Sequence, residues 1–150
     1  MFIGIGISIH GALSAGESLP PDETAPILSD PSASETGATT AIASVTTDEG
    51  NGDLYVVITQ SATPPTAQQV YDGEDHEGNP ADFAGSTEVT GVGVIGPVGI
   101  VGLDPETTYY AHFMHEDAAG NRSEVVSSAS FETDAASTGA GEWATNWFWR

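Results

Sequence analysis

The sequence predicts an all-β fold, a single antiparallel β-sandwich, on three observations. Short runs alternate apolar and polar residues with a period of two, as half-buried strands do. Turn residues separate these runs at short intervals, with 18 glycines and 9 prolines in 150 residues. Helical periodicity is confined to one brief segment. A chain of this length suits one domain, and its 39% hydrophobic content is enough to build a core.

The first segment, Met1 to Ile9, places Ile3, Ile5, Ile7 and Ile9 on one face and Gly4, Gly6 and Ser8 on the other. This is a strand pattern. A signal peptide would need a basic start and an unbroken apolar run, and a membrane-spanning helix would need about 20 apolar residues. The pattern fits a strand that closes the protein's own sheet or a docking arm that adds a strand to a neighbouring subunit; the arm is the expected role, with Gly11–Glu23 as its flexible tether.

Further along, Pro26–Ser29 reads as a first edge strand. Thr40–Thr47 alternates Ala41, Ala43 and Val45 against Thr40, Ser44 and Thr46. A Gly-Asn-Gly loop joins it to the apolar run Leu54–Thr59, which predicts a hairpin between the two. Ala67–Tyr71 is the one helical turn, with Thr66 as N-cap. Residues 72–82 form an acidic loop. Thr87–Thr90 and Val98–Leu103 are glycine-broken strands, Thr107–Glu116 is a strong strand, Ala118–Asn121 its turn, and Glu124–Thr133 the returning strand. Seven or so strands joined by short loops make the sandwich. The chain thus divides into an arm and tether (1–21), the sandwich (22–133), and a linker with an aromatic tail (134–150).

Charge narrows the function classes. Acidic residues number 22 and basic residues 2, a formal net charge of −20. Phosphate backbones and anionic membrane surfaces would both be repelled, so neither nucleic acid nor membrane is an expected partner. Such a surface favours solubility in salty water, where counterions screen self-repulsion. With no cysteine, disulfides, thiolate chemistry and cysteine-based zinc sites are ruled out.

One local motif sharpens the fold. Leu103, Pro105, Thr107 and Tyr109 stand in the pattern L-x-P-x-T-x-Y. It resembles the E–F corner of fibronectin type III domains, where the tyrosine hydroxyl bonds back to the turn backbone. Tyr109, Ala111 and Phe113 then alternate inward as that family's F strand does, and Gly120 and Ser123 fall where its F–G hairpin carries small residues. Together with Thr46–Tyr55, the Gln60-Ser-Ala-Thr-Pro-Pro segment and Asp117–Asn121, residues 22–133 resemble Ig-like/fibronectin III modules of tailed-bacteriophage virion proteins. The resemblance implies an Ig-like/fibronectin III-type sandwich on a capsid decoration, head-fibre or tail component. Unlike many fibronectin III domains, the second strand carries no tryptophan.

Motifs suggestive of chemistry dissolve on inspection. Gly91-Val-Gly-Val-Ile-Gly96 matches the dinucleotide fingerprint by letter, but Pro97, Gly99 and Gly102 forbid the helix it must open, so it is expected to be a β-loop. His112 and His115, three apart on a strand, point to opposite faces and cannot share a metal. The expectation is His115 at the inner rim and His112 towards solvent. Asp48, Asn51 and Asp53 offer hard oxygen ligands for calcium, as do Asp72, Glu74, Asp75 and Glu77, but neither set has the framework of a dedicated site. No nucleophile elbow or lysine is present, and paired carboxylates lack an apolar pocket to split their pKa values. No cofactor and no catalysis are expected.

All three tryptophans fall in the last eight residues, as Trp143, Trp147 and Trp149, with Phe148 between the latter two and Arg150 behind them. Aromatic anchors beside an arginine are the material of interface hot spots. The sequence therefore predicts a non-enzymatic structural protein on the virion exterior, most simply a capsid decoration or head-fibre protein. It would self-associate and bind the major capsid protein or tail subunits through Ile3–Ile9 and Trp143–Trp149. The alternative is a tail-associated or adhesin-like module that recognises host-surface glycans, with Tyr71, Tyr110 and Phe83 stacking on sugars.

Overall fold

The computed structural model describes residues 20–137, so the isoleucine arm and the aromatic tail lie outside the described residues. Eight strands and one short helix form two antiparallel sheets: β1 (Leu28–Gly37), β2 (Thr40–Thr47), β3 (Asp53–Thr59), α1 (Ala67–Asp72), β4 (Phe83–Glu88), β5 (Gly93–Val101), β6 (Thr108–Glu116), β7 (Val126–Ser127) and β8 (Phe131–Glu132). One sheet has the order β1-β2-β5. The other runs β4-β3-β6-β7, with β8 also on β6. β1 packs over β6, β7 and β8 on one flank, and β5 meets β4 on the other. The result is an antiparallel β-sandwich.

The core follows from the alternation. Ala41, Ala43 and Val45 of β2 face Leu54, Val56 and Ile58 of β3 and Tyr109, Ala111 and Phe113 of β6 across the two sheets, and Leu28, Val89, Ile100, Leu103 and Phe131 close the ends. Val57 and Met114 point to the other side of their sheet and are buried as well, because α1 lays Val70 over them. Burial on both faces explains why Leu54–Thr59 reads as a continuous apolar run. Helix α1 begins at Thr66, whose hydroxyl accepts the Gln69 N–H at 3.3 Å while the Gln69 side chain accepts the Thr66 N–H at 2.9 Å. It ends at Gly73 in the left-handed region, φ 77°.

Several expectations need correction. β2 and β3 do not form a hairpin: they lie in different sheets, joined by an arch over residues 48–52. At the arch Gly52 has φ 86°, and a Cβ there would come within 2.0 Å of the Glu116 carbonyl oxygen, so only glycine fits. The apolar β3 has its partners in β4 and β6 instead. The first strand is not a four-residue edge but ten residues long; its Ser- and Glu-rich half is exposed, so no apolar alternation betrays it. The fourth strand is Phe83–Glu88 rather than Thr87–Thr90, and residues 93–96 belong to β5 rather than to a loop.

The return from β6 is not one strand. Glu116 lies opposite Arg122, Phe113 opposite Val126, and Tyr109 opposite Phe131, so the register slips by one residue twice. Three hydroxyls repair the ladder. Ser123, Ser128 and Thr133 Oγ atoms accept the N–H groups of His115, Ala111 and Thr107 at 3.0, 3.1 and 3.1 Å. The backbone N–H of each of these three donates back to the carbonyl of the same partner.

Candidate functional site

The structural motif is assembled as its letters suggest. Tyr109 is fully buried, and its hydroxyl accepts the Asp104 N–H at 3.0 Å, five residues back in the turn. Leu103 is buried above it, Pro105 offers its carbonyl to the Thr107 hydroxyl at 2.8 Å, and Phe131 lies 6.0 Å from the Tyr109 ring, centroid to centroid. Thr133 adds a clasp that the sequence reading missed, donating to the Asp104 carbonyl at 2.6 Å. Its signal is the spacing: Ser123, Ser128 and Thr133 recur every fifth residue opposite His115, Ala111 and Thr107, which recur every fourth.

The two β6 histidines do point to opposite faces, but His112 is not solvated. Both are fully buried. His112 lies beneath the segment between β3 and β4. Its Nε2 faces the Ser61 carbonyl at 3.2 Å and the Thr59 hydroxyl at 3.0 Å, and its Nδ1 faces the Ser127 hydroxyl at 2.7 Å. A carbonyl can only accept, so Nε2 carries the proton and Nδ1 accepts from Ser127. Burial holds this imidazole below its ordinary 6.5; the Ser61 carbonyl works the other way and nearby His76 adds to the depression. His115 fastens the arch, with Nε2 donating to the Asn51 carbonyl at 2.6 Å and Nδ1 accepting from the Thr47 hydroxyl at 2.9 Å.

The three calcium candidates do separate work. Asp48 accepts the Ile27 N–H at 2.7 Å, Asn51 serves His115 through its backbone, and Asp53 opens β3 opposite Glu88 and Glu116. The carboxylates that converge are others: Asp22, Glu49 and Asp117 bring one oxygen each within 4.8 Å of one another. These could hold a divalent cation through oxygen. Asp117, however, is already committed to its turn. Burial opposes its charge, but the Asn121 side chain and the Asn121, Ala119 and Gly120 N–H groups outweigh it and hold the carboxyl below the usual range. Glu49 is pushed up, first by desolvation and then by Asp117 and Asp22.

The aromatics proposed for sugar stacking form no common platform. Tyr71 has Arg122 over its ring at 4.1 Å and Tyr55 beside it at 5.0 Å. Phe83 is packed against the core, and Tyr110 is half-buried opposite Thr59. Along the other flank, a groove of about 490 Å³ runs between β4 and β5, lined by Ser86, Thr87 and Glu88 of β4 and Val94, Ile95 and Val98 of β5 among others. Val94 stands 70% exposed on it, and Val92 and Val101, from the same uncharged stretch, are exposed as well.

No protein-family model matches the chain, and no curated protein does. Among solved structures it is similar to a computationally redesigned β-sandwich protein, with 14% identity over 73% of this chain and 95% of the other at a TM-score of 0.46. That likeness concerns the sandwich fold alone.

Proposed function

We propose that this chain is a non-enzymatic virion structural protein, a capsid decoration or head-fibre protein attached through its two termini. The observation that supports the reading is the contrast in chemistry between the body and the two ends of the chain. Among the described residues the core is built from Leu28 to Phe131, and in sequence the isoleucine stripe and all three tryptophans stand beyond that span. The acidic surface keeps the body in solvent, while the uncharged isoleucine stripe and the aromatic tail offer apolar contact to partners. Attachment then combines strand addition by Ile3–Ile9 with aromatic anchoring by Trp143, Trp147, Phe148 and Trp149.

The test is the solution mass of the full chain by light scattering, beside the Ile5→Glu/Ile7→Glu and Trp147→Ala variants. The expected result is a trimer or larger assembly that each variant weakens, with the sandwich melting temperature unchanged. A monomeric full chain that also fails to bind purified capsid or tail subunits would overturn the reading. A large loss of melting temperature in Trp147→Ala would make the tail part of the core instead.

A further inference from the structure

We infer that the groove between β4 and β5 is the acceptor for the Ile3–Ile9 segment of a neighbouring copy of this chain. The inference rests on the attachment reading above and names the surface on which strand addition takes place.

Among the described residues all four lateral edges carry devices that discourage pairing, but the β5 edge alone is without charge. β1 contains Pro31, Glu35 and Asp30 in the left-handed region at φ 50°, and its register shifts twice. The β7–β8 segment slips register twice and uses hydroxyls where backbone would pair. β4 is six residues long and ends on Glu88, with Asp82 just ahead of it. β5 is nine residues long, and no charged residue occurs between Glu88 and Asp104 in a chain of net charge −20. Its interruption is a bulge at Gly96 and Pro97 opposite Ser44, which leaves uncharged stretches on both sides.

The occupant is singled out by charge, shape and position. Residues 1–16 contain no acidic residue, so this segment can approach the acidic body without like-charge repulsion. In the extended form that strand addition requires, its alternating isoleucines would share one face, which suits a groove floored by half-buried Ile95 and Val98, both packed against the core. Gly4, Gly6 and Ser8 would then leave the opposite face nearly bare. The described stem starting at residue 20 is fixed on the far flank. The Asp22 carbonyl accepts from Asn121 Nδ2 at 3.1 Å beyond β6, and the stem leads into β1. The ten residues between Ile9 and the stem reach at most about 35 Å when extended. Arm on one flank and groove on the other make a head-to-tail contact, which closes into a ring or grows as a filament.

The absence of cysteine makes the test clean. Full-length Ile5→Cys chain is mixed with full-length Val94→Cys chain and treated with a short thiol-to-thiol cross-linker; Glu132→Cys, exposed on β8 at the far edge of the other sheet, replaces Val94→Cys as control. The expected result is a cross-linked dimer at least five-fold more abundant with Val94→Cys than with Glu132→Cys. Val94→Lys, which leaves the melting temperature unchanged, should reduce the assembly mass. Equal cross-linking at both positions in a chain that still assembles would overturn this inference while the attachment reading stands. If the unmodified chain is monomeric and binds no capsid or tail subunit, the attachment reading fails as well. A double Ile5→Cys/Val94→Cys chain that links within itself at high dilution would overturn the neighbour's role.

Discussion

Tyr109→Phe isolates the contribution of one hydroxyl to the corner between β5 and β6. The ring is fully buried and touches Phe131, and phenylalanine keeps both features. What is lost is the acceptor for the Asp104 N–H at 3.0 Å. A net hydrogen bond contributes about 1 kcal/mol, and a buried donor left alone costs about 1–3 kcal/mol. Asp104 itself is exposed, so water can reach its N–H in part, and the expected loss lies near the lower end, about 1–1.5 kcal/mol. For a sandwich of this size that is a melting temperature lower by roughly 4–8 °C, with an unchanged denaturant slope. The assay is thermal unfolding, with urea unfolding for the slope, both followed by circular dichroism, with Tyr110→Phe as control, since that half-buried neighbour lies outside the corner bond. A shift within 1 °C of the control would refute the claim that the hydroxyl pins the corner.

Other positions give equally direct tests. Ser128→Ala removes the acceptor of the Ala111 N–H in a buried ladder and should cost about 1–3 kcal/mol in urea unfolding. Gly52→Ala combines a positive φ with a clash against backbone, so calorimetry should show a loss above about 2 kcal/mol or a rearranged arch. The depressed His112 pKa means that the unfolded chain binds a proton the fold refuses. Stability from this group is therefore complete above the ordinary 6.5. It declines as pH falls below that value, by up to about 1.4 kcal/mol per pH unit, and unfolding of His112→Gln between pH 7.5 and 5.5 should show a shallower decline. Desolvation first, then repulsion from Asp117 and Asp22, lifts the Glu49 pKa; Glu49→Gln relieves both and should raise the melting temperature at pH 7 and low salt by about 1–3 °C, the repulsive part of which molar NaCl removes.

Strand content, the helical turn and the corner were legible because each rests on local chemistry. Period-two alternation locates β2 and β6, and an unbroken apolar run locates β3; Thr66 and Gln69 cap a helix through side chains that reach each other's backbone; Leu103, Pro105, Thr107 and Tyr109 make their turn within seven residues. The partnership of strands was not local. β2 and β3 are close in sequence and look like a hairpin, yet each gains more by burying its apolar face across the sandwich, so they enter different sheets. A half-exposed strand such as β1 carries no apolar signature because its pairing with β2 is made by backbone rather than side chains.

For the candidate site the same division holds. Sequence by itself determined the acidic surface, the absence of thiol chemistry, and the placement of isoleucine and tryptophan at opposite ends of the chain. Only the tertiary structure decided that His112 is buried, because α1 and its flanking loops fold over an outer sheet face that alternation assigns to water. Only it decided that Asp22, Glu49 and Asp117, spread across 95 positions, share one corner, and that β5 is the edge left without charge beside a groove floored by Ile95 and Val98. Alternation reports which face of a strand is apolar; what covers that face, and which edge stays open, depend on contacts between residues far apart in the chain.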